Sequence, residues 1–278
     1  MMMIMNIGSI IEKSNPMSQI PAVLITGAST GIGATYAERF ARRGHDLVLV
    51  ARDVVRMEAL ASRLRLETNV KIDILPADLT QPTDLAKVET RLRDDAHIGI
   101  LINNAGTAFG GSFIDQSVDD MTRLVALNAT ALVRLSGAIA PRLVKAGEGA
   151  IVNVGSVVGL APEFGMTVYG ATKAFVLFLS QGLAHELGPK GVYIQAVLPA
   201  TTRTEIWDHV GVDVNTMSNV MEVTDLVDAA LVGFDRRELV TIPPLHDVGQ
   251  WDAVDGARKA MLGNLVNALP AERYRTLA

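Results

Sequence analysis

Seven short apolar runs, each followed by a helical stretch, narrow what this chain can become more than any other feature. The runs lie at 22–26, 46–50, 71–75, 98–102, 150–154, 192–197 and 238–242. The helical patterns cover 32–43, 54–67, 81–95, 118–146 with a break near Pro141, 167–186, 223–234 and 250–269. Strands apolar on both faces need cover on both faces, and parallel strands need long crossovers. The alternation therefore predicts an α/β fold: a single Rossmann-type doubly wound domain with a seven-stranded, mostly parallel sheet, helices on both faces and an extra C-terminal helix. A ligand of such a sheet sits at the carboxyl ends of its strands.

No linker, charge block or low-complexity stretch divides 20–245, so residues 19–278 read as one domain. Residues 1–18 read as a loose extension, and Met17 competes with Met1 as the natural start. Their apolar stretch lacks a basic beginning and a small-residue cleavage site, which argues against a secretory signal. Between 204 and 222 the pattern loses its period, as in a mobile lid over a pocket; 246–278 forms a helical C-terminal extension. A net charge of -5 argues against nucleic acid or an anionic membrane as partner. The chain has no cysteine, which removes thiolate chemistry, and no apolar run of 18 residues. Its five histidines show no metal-ligand spacing, so no metal is expected. A cytoplasmic location follows as the expectation.

The turn after the first run reads Thr26-Gly27-Ala28-Ser29-Thr30-Gly31-Ile32-Gly33. Glycines let a backbone approach a pyrophosphate, and the helix that follows offers free amides and a favourable dipole. At the end of the second run stands Ala51-Arg52-Asp53. An arginine there would receive the 2′-phosphate of NADP; a carboxylate would bind the 2′-hydroxyl of NAD. Arg52 favours NADP, and Asp53 leaves NAD open if the turn is one residue longer. Tyr169 and Lys173 are four residues apart, about one helical turn, and so share a face. Free tyrosine titrates near ~10; lowering it by ~3 units takes about 4 kcal/mol, roughly what one charge at ~4 Å supplies at an effective dielectric of ~20. Plainer readings stand beside these: Asn128 as a satisfied core amide, Ser156 and Asp78 as helix caps, Asn103-Asn104 as a turn.

Taken together, 26–33, Asn103-Asn104-Ala105-Gly106, Asn128, Ser156 and the Tyr169/Lys173 pair resemble, in order and spacing, the short-chain dehydrogenase/reductase family over about 20–245. The resemblance implies that Tyr169 is the general acid/base and that Lys173 lowers its pKa and holds the nicotinamide ribose. Ser156 would polarise the substrate carbonyl, and Asn128 would hold a water linking Lys173 to solvent. Gly27, Ser29, Thr30, Gly31, Ile32 and Gly33 would line the pyrophosphate turn, with Arg52 at the 2′-position. Asp78 and Leu79 would frame the adenine. Asn104, Ala105 and Gly106 would back the ribose, and Pro199, Thr202 and Thr204 would meet the nicotinamide end. Two departures stand out: Pro199-Ala200 replaces the usual Pro-Gly, and Pro243-Pro244 with an added helix replaces the glycine-rich end that helps build tetramers. A homodimer through 118–146 and 167–186 is therefore expected, with a tetramer the alternative. Apolar residues in the lid and at 158–164 suggest a small apolar ketone or aldehyde, interconverted with its alcohol by NADP-dependent hydride transfer. A 3-oxoacyl-thioester reductase and a non-catalytic NADP-sensing regulator are the alternatives.

Overall fold

Because each strand is apolar on both faces, one sheet with two helical layers accounts for nearly the whole chain. The computed structural model describes residues 20–275; the expected loose extension at 1–18 lies outside them. The strands are β1 (Ala22–Thr26), β2 (Leu47–Ala51), β3 (Ile72–Pro76), β4 (Ile98–Asn103), β5 (Ala150–Val154), β6 (Tyr193–Val197) and β7 (Val240–Thr241). They pair in the order β3-β2-β1-β4-β5-β6-β7, and every pairing is parallel. The sheet is thus wholly rather than mostly parallel. Its order reverses between β1 and β4, which opens a crevice at their carboxyl ends.

The two faces of β1 show how the cover is divided. Val23 and Ile25 face a core built with α1 (Gly31–Arg42), α2 (Val54–Thr68) and α8 (Val223–Asp235). Ala22 and Leu24 face the opposite core, formed with α3 (Pro82–Asp94), α5 (Leu132–Ala146) and α6 (Thr167–Leu187). Leucines at 135 and 143 and Ile139, at helical spacing, are the side chains that α5 buries there.

The long helix expected at 118–146 is present, but its interruption lies elsewhere. It runs as α4 (Val118–Val125), a π-helical stretch Ala126–Ala131 and α5. Pro141 sits inside α5 without ending it. The whole of Val118–Ala146 is long and apolar enough to cross a membrane; Leu124, Leu132, Leu135, Ile139 and Leu143 are instead buried in the protein.

Two further expectations need correction. The segment 204–222 is folded rather than loose: it holds α7 (Ile206–Val210) and a 3-10 turn Val214–Thr216, and it returns through a bridge between Thr202 and Met221. At the C-terminus the helix is α9 (Val248–Ala260), shorter than 250–269, followed by the turn Leu262–Asn264. None of the α9 residues is fully buried; Trp251 packs against the small cluster of Leu177, Ala196 and Leu198.

Candidate active site

The crevice at the carboxyl ends of β1 and β4 collects the glycine turn, the two asparagines and the N-terminal part of α6. Thr26 ends β1, and its buried hydroxyl ties the turn to the end of β4. It accepts from the amides of Asn104 and Ala105, both at 3.0 Å, and donates to Ile102 O at 3.2 Å. Asn104 closes the clamp, its amide nitrogen donating to Thr26 O at 2.9 Å and Gly27 O at 3.2 Å. Gly27 has φ +65°, and a Cβ there would stand 2.9 Å from the Ala105 Cα, so no other residue fits. At the N-terminus of α1, Thr30 makes no side-chain cap, and the first turn carries no acidic residue. Those amides and the positive end of the helix dipole are therefore available to a phosphate. Ser29 and Ile32 lie in the same turn, and Gly33 packs onto Gly27 O so closely that a Cβ would collide at 2.2 Å.

The structure separates the two candidates at the end of β2. Asp53 caps α2: its carboxylate accepts from Arg56 N at 3.0 Å and pairs with the Arg56 guanidinium at 3.4 Å. Arg52 is exposed and makes no ion pair among the described residues. An exposed guanidinium without a carboxylate partner at the end of β2 fits a dinucleotide carrying a 2′-phosphate; a carboxylate already spent on a helix cap does not serve a 2′-hydroxyl. Asp78 accepts from the amide and hydroxyl of Thr80, at 2.9 and 2.7 Å. The Leu79 side chain is core, so only its backbone can face an adenine.

Ser156 follows β5, and Tyr169 and Lys173 rise one turn apart on α6. The Ser156 hydroxyl accepts from Val158 N at 3.2 Å and lies 3.3 Å from Pro199 O. It is also near enough to the Tyr169 phenol to act on its pKa. Lys173 is buried, its Nζ donating to Val154 O at 2.9 Å and standing 5.6 Å from the Tyr169 ring centre. Burial lowers the Lys173 pKa to about 8. For Tyr169 the direction differs from the sequence expectation. Burial pushes the phenol up to about 12, while Ser156 acts the other way. The reason is desolvation: both groups lie deep enough that burial favours the neutral phenol and the neutral amine together.

Asn128 sits in the π-helical stretch, buried, with its amide fully engaged. Its Oδ1 accepts from Thr107 N at 3.0 Å, and its Nδ2 donates to Thr107 O at 2.9 Å and Thr172 Oγ1 at 3.2 Å. A Cβ on Gly106 would stand 3.3 Å from Asn128 Oδ1 and 3.5 Å from Lys173 Nζ, so Asn128, Gly106 and Lys173 meet at one point. Asn103 is not a turn residue: it closes β4 and donates to Ser136 Oγ and Asn153 Oδ1, at 3.0 and 2.9 Å.

A glycine turn, a serine and a Tyr/Lys helix thus converge on one crevice, and the whole chain has close counterparts among known proteins. A family model described as short chain dehydrogenase matches residues 21–215. The chain belongs to the short-chain dehydrogenase family. A solved short-chain dehydrogenase from Sphingobium yanoikuyae, in complex with NADPH, shares 68% identity with a TM-score of 0.91, covering 92% of this chain and 100% of that one. A bulky-bulky ketone specific alcohol dehydrogenase from Comamonas testosteroni shares 62% identity with a TM-score of 0.87, over 92% and 99% of the two chains. Among curated proteins, a very-long-chain 3-oxoacyl-CoA reductase from Danio rerio is 34% identical over 66% of this chain. The match spans 59% of that reductase's length, and about three-fifths of the others of its kind.

The dehydrogenase site also uses residues that the sequence reading passed over. Thr107 and Thr172 hold the Asn128 amide. Gly159 lets the turn after Ser156 lie directly on the α6 backbone, where a Cβ would meet Ala174 N at 2.6 Å. Thr202 and Thr204, by contrast, were expected at the nicotinamide end: Thr204 lies over the crevice beside Gly31, and the neighbouring Glu205 pairs with Arg56 on α2 at 2.7 Å. Thr202 is buried, and its carbonyl accepts from Trp207 Nε1 at 2.8 Å. Among the described residues no group of three His, Asp or Glu side chains is placed to hold a metal ion.

Proposed function

We propose that this dehydrogenase interconverts a ketone bearing apolar groups and the corresponding secondary alcohol, using NADPH. The observation that carries the proposal is the convergence of Ser156, Tyr169 and the buried Lys173 ammonium at the carboxyl edge of the sheet. A reduced nicotinamide, when bound, supplies the hydride. Negative charge then develops on the carbonyl oxygen, and the hydroxyls of Ser156 and Tyr169 would stabilise it. Tyr169 keeps its proton throughout the physiological range, with its pKa near about 12, and so acts as the donor in the reductive direction. Lys173 keeps a positive charge close by, and Asn128 borders it across Gly106. Gly27, Thr30 and Gly31 would hold the pyrophosphate, and Arg52 the 2′-phosphate.

Apolar side chains around the crevice support an apolar substrate: Leu160, Phe164 and Val212 are exposed in the segments beside the site. The kinship to a ketone-specific alcohol dehydrogenase at 62% identity points the same way. A 3-oxoacyl thioester is the second reading, favoured by the very-long-chain 3-oxoacyl-CoA reductases. Against it, the lid arginine Arg203 is engaged with Glu222 and Asn215, at 2.8 and 2.7 Å, and is not free for a CoA phosphate. The proposal extends to a homodimer in the cytoplasm. An apolar trough of about 440 Å³ between the π-helical stretch and α6, lined by Val125, Val133 and Phe175, supports pairing through that face. Purified protein with NADPH should reduce ketones with two bulky substituents faster than pantetheine thioesters. Failure to reduce any member of such a panel would sink the proposal, and preference for the thioester would select the second reading.

A further inference from the structure

Thr172 stands between Tyr169 and Lys173 on α6, is 4% exposed, and has no place in the chemistry proposed above. Its hydroxyl donates to Tyr169 O at 2.7 Å. A helical threonine commonly bonds back to the preceding turn in this way, and that bond alone would mean nothing. The second contact is different. A hydroxyl has one proton, and Thr172 has already given it to Tyr169 O, so toward Asn128 it can only accept. It therefore requires Asn128 to present Nδ2, at 3.2 Å, and leaves Oδ1 to face Thr107 N at 3.0 Å. The other Nδ2 proton goes to Thr107 O at 2.9 Å. The amide has two possible orientations, and the three contacts agree on one.

We propose that Thr172 is a positioning residue: it fixes the orientation of the Asn128 amide and couples the π-helical stretch to the turn of α6 that carries Tyr169 and Lys173. Asn128 is 2% exposed, so water cannot replace a lost partner without opening the structure. Because Asn128 Oδ1 borders Gly106 beside Lys173 Nζ, a rotated amide would turn a donor toward the ammonium where an acceptor now stands. The link is thus electrostatic as well as steric.

The test is Thr172→Val, which keeps the shape and removes both bonds, with Thr172→Ser as the conservative rescue. NMR of the uniformly labelled protein reads the proposal directly. The two Asn128 side-chain N–H protons should exchange slowly with water in wild type and in Thr172→Ser, and at least about tenfold faster in Thr172→Val. Kinetics with NADPH and a bulky ketone supply the second readout, and this arm rests on the function proposed above. In Thr172→Val, kcat should fall about tenfold or more while the NADPH dissociation constant stays within about twofold, and Thr172→Ser should recover kcat to within about threefold. The alkaline limb of kcat/KM should also move in Thr172→Val and return in Thr172→Ser. Should the valine variant not fold, Thr172→Ala carries the same measurements. Unchanged Asn128 exchange in a folded variant lacking the hydroxyl overturns the proposal, as does an unchanged kcat and pH profile. A wild-type protein inactive on every ketone overturns the assigned reaction instead, and the exchange measurement still decides the role of Thr172.

Discussion

Gly159→Ala tests whether a backbone contact, rather than any functional group, sets the distance between Ser156 and Tyr169. Gly159 closes the 3-10 turn Val157–Gly159 that follows Ser156. A Cβ at this position would meet Ala174 N and Lys173 C at 2.6 Å and Lys173 O at 2.9 Å. These are backbone atoms of a helix 21 residues long, anchored in the core by Val176, Leu177 and Ser180, so α6 does not give way. Comfortable contact lies near ~3.4–3.5 Å, which means that the turn must retreat by about 0.8 Å. Ser156 is three residues away and moves with it. Misplacement of about 1 Å at a reacting group costs on the order of 10²-fold. The expectation is a fall in kcat of between about tenfold and a hundredfold. The glycine turn at 27–33 is untouched, so NADPH affinity should stay within about twofold, and overpacking should cost about 1–3 kcal/mol of stability. Loss of NADPH absorbance with a bulky ketone gives kcat, fluorescence titration gives the affinity, and thermal melting gives the stability. Gly182→Ala, on the same helix with nothing near its Cβ position, is the control and should change neither kcat nor affinity. A folded Gly159→Ala enzyme with wild-type kcat would refute the reasoning, because Ser156 would then be held by something other than this contact.

Three further outcomes follow from the same geometry. Tyr169→Phe should lose about 10²–10⁴-fold in rate with NADPH affinity retained, by steady-state kinetics and titration; a smaller loss would place the proton donor elsewhere. Burial lowers Lys173 to about 8, so the free enzyme holds the ammonium below that pH and loses it above. The value of kcat/KM for reduction should accordingly fall on the alkaline side of pH 8, whereas Tyr169, near about 12, contributes no limb there. The same shift has a stability sign. Between about 8 and the ordinary 10.5 the unfolded chain binds this proton and the native one does not, so the penalty that Lys173 imposes on folding at lower pH fades as pH rises through that window; a denaturation series across the window checks it against a variant lacking the amine. Arg52→Ala should weaken NADPH by about 10–100-fold and leave NADH unchanged, since a charge-assisted bond to phosphate contributes about 1.5–3 kcal/mol; equal losses for both cofactors would remove Arg52 from the 2′-position.

What the sequence made legible depends on where the determining information sits. Apolar runs and glycine turns carry their instructions locally, which is why all seven strands and the crevice at Thr26–Gly33 could be read before any coordinates. Ser156, Tyr169 and Lys173 were named through the resemblance rather than through any one residue's pattern; the structure brings them to one crevice, and their roles belong to the function proposed above. The break in the long helix was assigned to Pro141, the residue with a known local effect. The structure instead places it at Ala126–Ala131, where Asn128 is clamped by Thr107, 21 residues earlier in the chain. A six-residue change of helical pitch leaves no period to detect, and the only signal was an amide in an otherwise apolar stretch. Residues 204–222 looked loose because their order comes from Trp207 on Thr202, Glu205 on Arg56 and Gly110 beneath Val210, contacts without local pattern.

The pKa of Tyr169 shows the limit most sharply. Spacing placed Lys173 on the right face of the helix, and Coulomb's law gave a charge large enough to lower the phenol. Neither could reveal that Nζ bonds Val154 O or that the pair lies deep enough for desolvation to dominate, raising the phenol and lowering the amine together. The consequence is a reassignment of the titration rather than of the residues. A pKa of about 8 belongs to the lysine, and the phenol, pushed up to about 12, keeps its proton across that range. An alkaline limb that persisted at the same pH in Tyr169→Phe, at whatever residual rate could be measured, would be the signature of this order; a limb that vanished with the phenol would restore the simpler one.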